Sequence, residues 1–287
     1  MCRSSRNASR GQFSYLYRAV DKHGKTVDFL LRPDRGIAAA QAFFRKALST
    51  NLPRWPHKIT LDGHLQSHTT MKLPRIASIH AGKVAPLGPD GVPSGFAKHL
   101  IDQPVKIAPL GMRGDEQADL SVHGGLEKAV YGYSLENYEA WRADYPHHAA
   151  TLVPGGFGEN LCIEGMREAD LCVGDIHRIG STQLQVCQPR QPCFKLALRF
   201  QDKMMPKAMI RSGRAGWYYR VLEPGEIAPN DPVLVEGRPN VDFPFTRLVE
   251  LGSHDTATRQ ELERMQNMEG LASDWKAWAQ ERLSRLS

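Results

Sequence analysis

Apolar and polar residues alternate over several short stretches, each bounded by glycine or proline. Ile76-Ala77-Ser78-Ile79-His80 and Gln183-Leu184-Gln185-Val186-Cys187 show the alternation most clearly. Residues 105–107, 130–133, 160–163, 176–179, 221–225 and 231–235 repeat it. A period of two between turns predicts half-buried strands. Many such strands predict a mainly β fold, a β-barrel with few helices. Helical spacing is rarer. Ser134 is placed to cap a helix carrying Leu135, Tyr138 and Trp141, which ends before Pro146. Near the C-terminus, residues 245–251, 256–268 and 273–286 predict a three-helix module. Asp255 and Ser273 are its candidate caps, and Gly252 and Gly270 its stop signals.

The first 70 residues read differently. Residues 1–12 are rich in Ser, Arg and Gly and predict disorder. Tyr15–Val20 and Thr26–Leu31, joined by Asp21-Lys22-His23-Gly24, predict a hairpin. A helix is predicted over residues 37–48 and a short strand over residues 58–62. These elements make an α/β piece with a poor core of its own. The expected division is a basic segment over 1–70, a β-barrel domain over 71–240 and the helical module over 241–287.

Charge sharpens this division. Residues 1–75 hold 14 Lys/Arg against 4 Asp/Glu, whereas residues 76–287 hold 23 against 27. The net charge of +6 therefore belongs to the first quarter of the 287 residues. Such a stretch is either a solvated basic tail or a nucleic-acid contact. The 41% apolar content is that of a globular protein, and no apolar run approaches the ~20 residues of a membrane span. No membrane partner is expected. Five cysteines, an odd and sparse set, fit a reducing cytoplasm. Cys162, Cys172, Cys187 and Cys193 lack a close Cys-x₂₋₄-Cys pair, so they predict no zinc site. His147-His148, after Pro146, reads as an exposed loop, and Trp217-Tyr218-Tyr219 as core.

The segment richest in chemistry is Gln188-Pro189-Arg190-Gln191-Pro192-Cys193-Phe194-Lys195. Two prolines stiffen the backbone before one cysteine. Arg190 and Lys195 would favour the thiolate, which is a nucleophile or a soft metal ligand. An inert buried thiol is the competing reading.

These residues form part of an ordered set: Gly114-Asp115-Glu116-Gln117-Ala118-Asp119, His123-Gly124-Gly125, Lys128-Ala129-Val130-Tyr131, Gly156-Phe157-Gly158-Glu159-Asn160-Leu161, Val173-Gly174-Asp175, Pro189-Arg190-Gln191-Pro192-Cys193 and Gly216-Trp217-Tyr218. The set, spanning about 74–286, resembles MOSC-domain proteins, and among them the YiiM-like branch with a C-terminal three-helix domain. The resemblance implies a β-barrel holding the molybdenum cofactor (molybdopterin) rather than pyridoxal phosphate. It implies reduction of N-hydroxylated small molecules, namely hydroxylaminopurine base analogues, hydroxylamines and amidoximes, as a detoxifying activity. Cys193 matches the cysteine that ligates molybdenum. Arg190, Lys195, Arg113 and Lys128 are candidates for the pterin phosphate, with surface charge as the competing reading for each. His123, Gly124 and Gly125 are candidates to line the pocket, with His123 as a structural hydrogen-bonder the competing reading. Asp115, Glu116 and Asn160 are candidate pterin contacts or turn caps. Electrons are expected from a separate reductase. A second function, sulfur carriage as a persulfide on Cys193, stays open.

The basic segment has its own resemblance. Tyr15-Leu16-Tyr17-Arg18-Ala19-Val20-Asp21, Thr26–Leu31, Phe43–Leu48 and Ile59-Thr60-Leu61-Asp62 resemble the core of DDE-type insertion-sequence transposases. Asp62 matches the second of the three carboxylates such enzymes use to hold two metal ions. Only Arg, Ser, Asn and Gly stand where the first should lie, and the third is missing. Residues 1–70 are therefore expected to be a transposase remnant, with Met71 a natural start for the MOSC-like body. Nucleic-acid binding is not expected.

Overall fold

A computed structural model describes residues 2–9, 12–20, 25–32, 73–119, 124–254 and 256–286. The chain divides into two units, Met1–Leu73 and Pro74–Ser287.

In the first unit, β1 (Cys2–Ser9), β2 (Gln12–Val20) and β3 (Thr26–Arg32) form an antiparallel sheet in that order. The expected hairpin is β2–β3, with Tyr15 opposite Arg32. β1 corrects the expectation of disorder. Its main chain pairs from Cys2↔Ala19 to Ser9↔Gln12, and a ladder needs N–H and C=O groups rather than apolar side chains. The predicted helix over 37–48, the strand over 58–62 and Asp62 lie outside the described residues.

The second unit begins with β4 (Arg75–Ala81) and the short strands β5 (Ala85–Leu87), β6 (Val92–Ser94), β7 (His99–Ile101), β8 (Val105–Ala108) and β9 (Gly111–Met112). β10 (Val130–Ser134) leads into α1 (Leu135–Asp144), then β11 (Leu161–Glu164), β12 (Ile176–Ile179) and β13 (Thr182–Pro189). Two helices come next, α2 (Phe194–Phe200) and α3 (Met205–Ser212), then β14 (Trp217–Glu223), β15 (Gly225–Ile227) and β16 (Val233–Gly237). The chain ends in α4 (Phe245–Leu251), α5 (Arg259–Gln266) and α6 (Ser273–Arg285).

The main sheet has eight strands in the order β16-β12-β13-β14-β10-β11-β4-β7. All neighbours are antiparallel except β10 and β11, where Gly132 lies opposite Leu161. That parallel pair needs a crossover, and α1 supplies it.

The closed barrel expected from the strand pattern is replaced by a curled sheet. The segment before β16 meets the start of β4 through single bonds: Ile76 N–H to Asp231 O (2.9 Å), Asn230 N–H to Ile76 O (2.8 Å) and Val233 N–H to Pro74 O (2.7 Å). Among the described residues no ladder continues from this seam. Its one bridge pairs Arg75 with Pro232. Pro74 and Pro232 have no N–H to donate, so pairing stops where two strand ends would otherwise zip together.

The sheet separates two cores. Along β11, Leu161 and Ile163 enter one and Cys162 the other, as strand alternation requires. The first core also takes Phe245, Leu248, Leu262, Met265 and Trp275, so the C-terminal helices share the sheet's own core. The second is aromatic: Tyr131, Tyr133, Tyr138, Trp141, Phe157 and Phe200. Burying Tyr and Trp requires partners for their polar atoms. Trp141 Nε1 donates to Tyr133 Oη (2.6 Å), and Tyr138 Oη donates to Glu159 Oε1 (2.6 Å).

The predicted caps are partly redistributed. Ser134 precedes α1, but its hydroxyl bonds Glu136. Thr258 caps α5 in a capping box with Glu261, and Asp255 lies outside the described residues. Ser273 is the first residue of α6, and its hydroxyl reaches Glu127 (2.6 Å).

Candidate functional site

β13 positions the cysteine loop. Gln188 and Pro189 pair with Tyr218 and Trp217 of β14, so the chain leaves the sheet in a fixed direction. Gln191 and Pro192 then carry the chain outward, and Cys193 is the N-cap of α2 with extended backbone (φ −110°, ψ 174°). The sequence reading treats this stretch as a loop and misses α2 and α3. Their signal is present at helical spacing, in buried Leu196 and Phe200 and in buried Met205, Ala208 and Met209.

Arg190 turns inward rather than to solvent and is 8% exposed. Its guanidinium lies 4.8 Å from the ring centres of both Phe96 and Tyr131, and its Nη1 donates to the Phe157 carbonyl. Burial opposes its charge. Tyr131, Tyr218 and Cys193 more than offset this and hold its pKa above the ordinary arginine value.

Lys98 faces Asp115 in a buried ion pair, with side chains 6% and 2% exposed. Burial holds the Lys98 pKa below the usual lysine value, against the pull of Asp115. Asp115 also accepts from the Gly82 N–H (3.0 Å) and from Asn160 Nδ2 (3.0 Å). Asn160 in turn accepts from the Tyr131 N–H (3.0 Å) and donates to the His80 carbonyl (3.2 Å). Asn160 is thus a brace between β4, β10 and Asp115.

Two cavities meet at Cys193. The inner one, about 90 Å³, is lined by Cys193, Arg190, Lys98, Asp115, Asn160 and Tyr131, among others. The outer one, about 670 Å³, is walled by Phe194, Trp275, Trp278 and Arg282, among others, the last three from α6. That volume falls within the roughly 300–1,000 Å³ of small-molecule sites. Cys193, Lys195, Lys128 and Tyr218 line both.

Eight of the residues singled out from sequence therefore converge on the inner cavity: Cys193, Arg190, Lys195, Lys128, Gly124, Asn160, Asp115 and Glu116. Gly125 precedes the 3₁₀ turn Leu126–Lys128. Gly124 and Gly125 have φ of 108° and 80°, which L side chains adopt only with strain, so this loop requires glycine. Arg113 is exposed and lines neither cavity. His123 lies outside the described residues. Sequence reasoning missed Lys98, a lone lysine in a loop with no spacing signal. It also took Tyr218 for core, whereas Tyr218 lines both cavities between buried Trp217 and Tyr219. The other cysteines of this unit are buried. Cys187 Sγ donates to the Glu127 carbonyl (3.0 Å), and burial pushes its pKa up to about 12.

Comparison with known proteins places this geometry. The MOSC domain model matches residues 119–234, and a DDE domain model matches residues 8–79. Protein YiiM of Escherichia coli is 33% identical over 204 residues, covering 71% of this chain and 90% of that one. A protein of Gibberella moniliformis named "Reductase" is 38% identical over 179 residues, 61% of this chain and 32% of that one. The crystal structure of YiiM from Geobacillus stearothermophilus superposes with a TM-score of 0.62 at 30% identity, covering 73% of this chain and 99% of that one. A curled sheet with a cysteine loop, six helices among the described residues and near full-length coverage of YiiM together identify the chain as a member of the MOSC-domain family, in its YiiM branch, preceded by a DDE-transposase-like segment.

Proposed function

We propose that the unit from Pro74 onward is a reductase of N-hydroxylated small molecules that uses the molybdenum cofactor. Support comes from membership of the MOSC family, whose domains are associated with that cofactor, and from the relative named "Reductase". The observation that carries the reading is Cys193 at the junction of two cavities.

The donor set suits the cofactor. A thiolate is a fitting ligand for a soft redox metal. The inner cavity offers four cationic side chains, Lys98, Lys128, Arg190 and Lys195, against two carboxylates, Asp115 and Glu116. Asp115 pairs with Lys98 and Glu116 with Lys83, while Lys128 lies 3.7 Å from Asp274 of the outer cavity, so the surplus charge is that of Arg190 and Lys195. The remaining positive charge suits an anionic phosphate. Cys193 would hold the metal, and Arg190 and Lys195 the phosphate. When bound, the cofactor supplies the two electrons that break the N–O bond.

The chain's own residues do the rest. Phe194, Trp275 and Trp278 give the outer cavity aromatic faces on which a flat substrate can stack. The balance is R–NHOH + 2e⁻ + 2H⁺ → R–NH₂ + H₂O, with electrons from a separate reductase.

The test is molybdenum content and reduction of an N-hydroxylated purine by protein from a cofactor-producing host, with reduced viologen as donor. The wild type should carry close to one molybdenum and turn over. Cys193→Ser should lose activity by at least 10³-fold while keeping its fold. Retained turnover in a loaded Cys193→Ser variant refutes the assignment. Sulfane sulfur on Cys193 without molybdenum would instead favour persulfide carriage.

A further inference from the structure

Away from both cavities, three donor groups meet at the far end of the helix that starts at Cys193. Pro146–His148 form a 3₁₀ turn after α1, and Asp202 lies just past the end of α2. His148 Nε2 lies 3.1 Å from Asp202 Oδ2. The rings of His147 and His148 are 4.2 Å apart between centres. One donor atom from each of His147, His148 and Asp202 lies within 4.8 Å of the other two. His148 is half-buried here, not the exposed loop residue its sequence context predicts, whereas His147 is exposed.

The cluster is held from behind. Gln201 adopts φ 52°, which turns the chain out of α2 and delivers Asp202. The Asp202 N–H bonds the Ala197 carbonyl (3.0 Å), and its Oδ1 accepts the Met204 N–H (2.8 Å), which leaves Oδ2 facing His148. The His148 ring packs edge-on against Phe200 at 5.5 Å, and the His148 carbonyl accepts from Thr151 and Leu152. Fixed orientation of the donors is what a metal site needs beyond the donors themselves.

We propose that His147, His148 and Asp202 bind a divalent transition-metal ion of the zinc class, with water completing the shell. Two imidazoles and one carboxylate are a borderline donor set suited to Zn²⁺, Co²⁺ or Ni²⁺ and ill-suited to Mg²⁺ or Ca²⁺. With metal–donor distances near ~2.1 Å, donor atoms in a tetrahedral shell stand roughly 3.4 Å apart. The His148–Asp202 separation already meets this, and rotation of exposed His147 closes the rest. Arg211 bonds Tyr145, whose ring abuts His147 at 6.1 Å, and opposes added positive charge. The affinity expected is therefore micromolar. These three residues line neither cavity. The bound ion ties the end of α2 opposite Cys193 to the turn after α1.

The test is calorimetric titration of the chelator-stripped full chain with Zn²⁺, and of Co²⁺ followed by its visible absorption. Wild type should show a micromolar equivalent of Zn²⁺ that survives in Cys193→Ser. Affinity should fall at least tenfold in both His147→Ala and Asp202→Asn, and Zn²⁺ should raise the melting temperature of wild type but not of these variants. Asp202→Asn keeps the oxygen that accepts from Met204, so it should fold. No micromolar site in wild type, unchanged affinity in both variants, or loss with Cys193→Ser alone would overturn the proposal.

Discussion

Replacing Glu127 by alanine is expected to loosen α6 from the cysteine-bearing part of the fold. Glu127 Oε2 accepts from the Ser273 N–H (2.8 Å) and Oγ (2.6 Å), while Oε1 pairs with Arg220. The Ser273 N–H is one of the unpaired donors of the first turn of α6, so the carboxylate caps that helix from another element. Burial resists the charge on Glu127, but Ser273 and Arg220 outweigh it and its pKa is lowered. Loss of a cap costs about 1 kcal/mol, loss of an anion at a helix start about 0.3–1, and a partly exposed ion pair about 0.2–1. Together they give about 2 kcal/mol, or about 4–8 °C in the melting temperature of a unit this size. Glu127→Gln keeps an acceptor for Ser273 and should lose roughly half as much. Thermal unfolding followed by tryptophan fluorescence reads this, because Trp275 and Trp278 lie on α6. A Glu127→Ala melting point within 1 °C of wild type would refute the capping argument.

The pH dependence has a definite sign at His177. Burial, with the charge of Arg238 behind it, lowers its pKa to about 3, whereas an unfolded histidine titrates near 6.5. The unfolded chain therefore takes the proton first. The contribution is complete above pH 6.5 and is lost as pH falls toward 3, at about 1.4 kcal/mol per pH unit. His177→Gln, which can still bond Tyr219, should show a shallower acid loss in urea melts; parallel curves would exclude this source. A chain starting at Met71 should keep the melting temperature of the second unit, since Pro74–Ser287 is compact by itself and retains the bond from Val233 to Pro74. Insoluble or unfolded protein from that start would show that the first unit is needed.

Period-two alternation made β4, β12 and β13 legible, because one face of each meets a core. The spacing of Leu135, Tyr138 and Trp141 likewise announced α1. The cysteine loop was legible because two prolines around an arginine are uncommon before a thiol. What failed to show is long-range. Lys98 becomes notable only through Asp115, 17 residues away, and Asn160 becomes a brace only once β4 and β10 lie on either side of β11. The barrel was a fair inference from many short strands, but closure depends on which residues stand at the seam, and there Pro74 and Pro232 remove two donors. The outer cavity was invisible for the same reason, since Trp275 read as an apolar stripe until α6 docked beside Cys193.

The place of β4 has a consequence for synthesis on the ribosome. It is the first strand of its unit to emerge, yet it lies inside the sheet between β7 and β11. β7 arrives soon after, but β11 begins only at Leu161 and the seam at Asn230–Val233 later still. At roughly 5–20 residues per second, the side of β4 that β11 will cover waits on the order of 4–16 s for its partner. Throughout that interval Ile76 and Ile79 sit on a nascent strand with one edge open. A translating chain in that state invites pairing with a neighbour on the same message, so yield should depend on elongation speed more than on the stability of the finished fold.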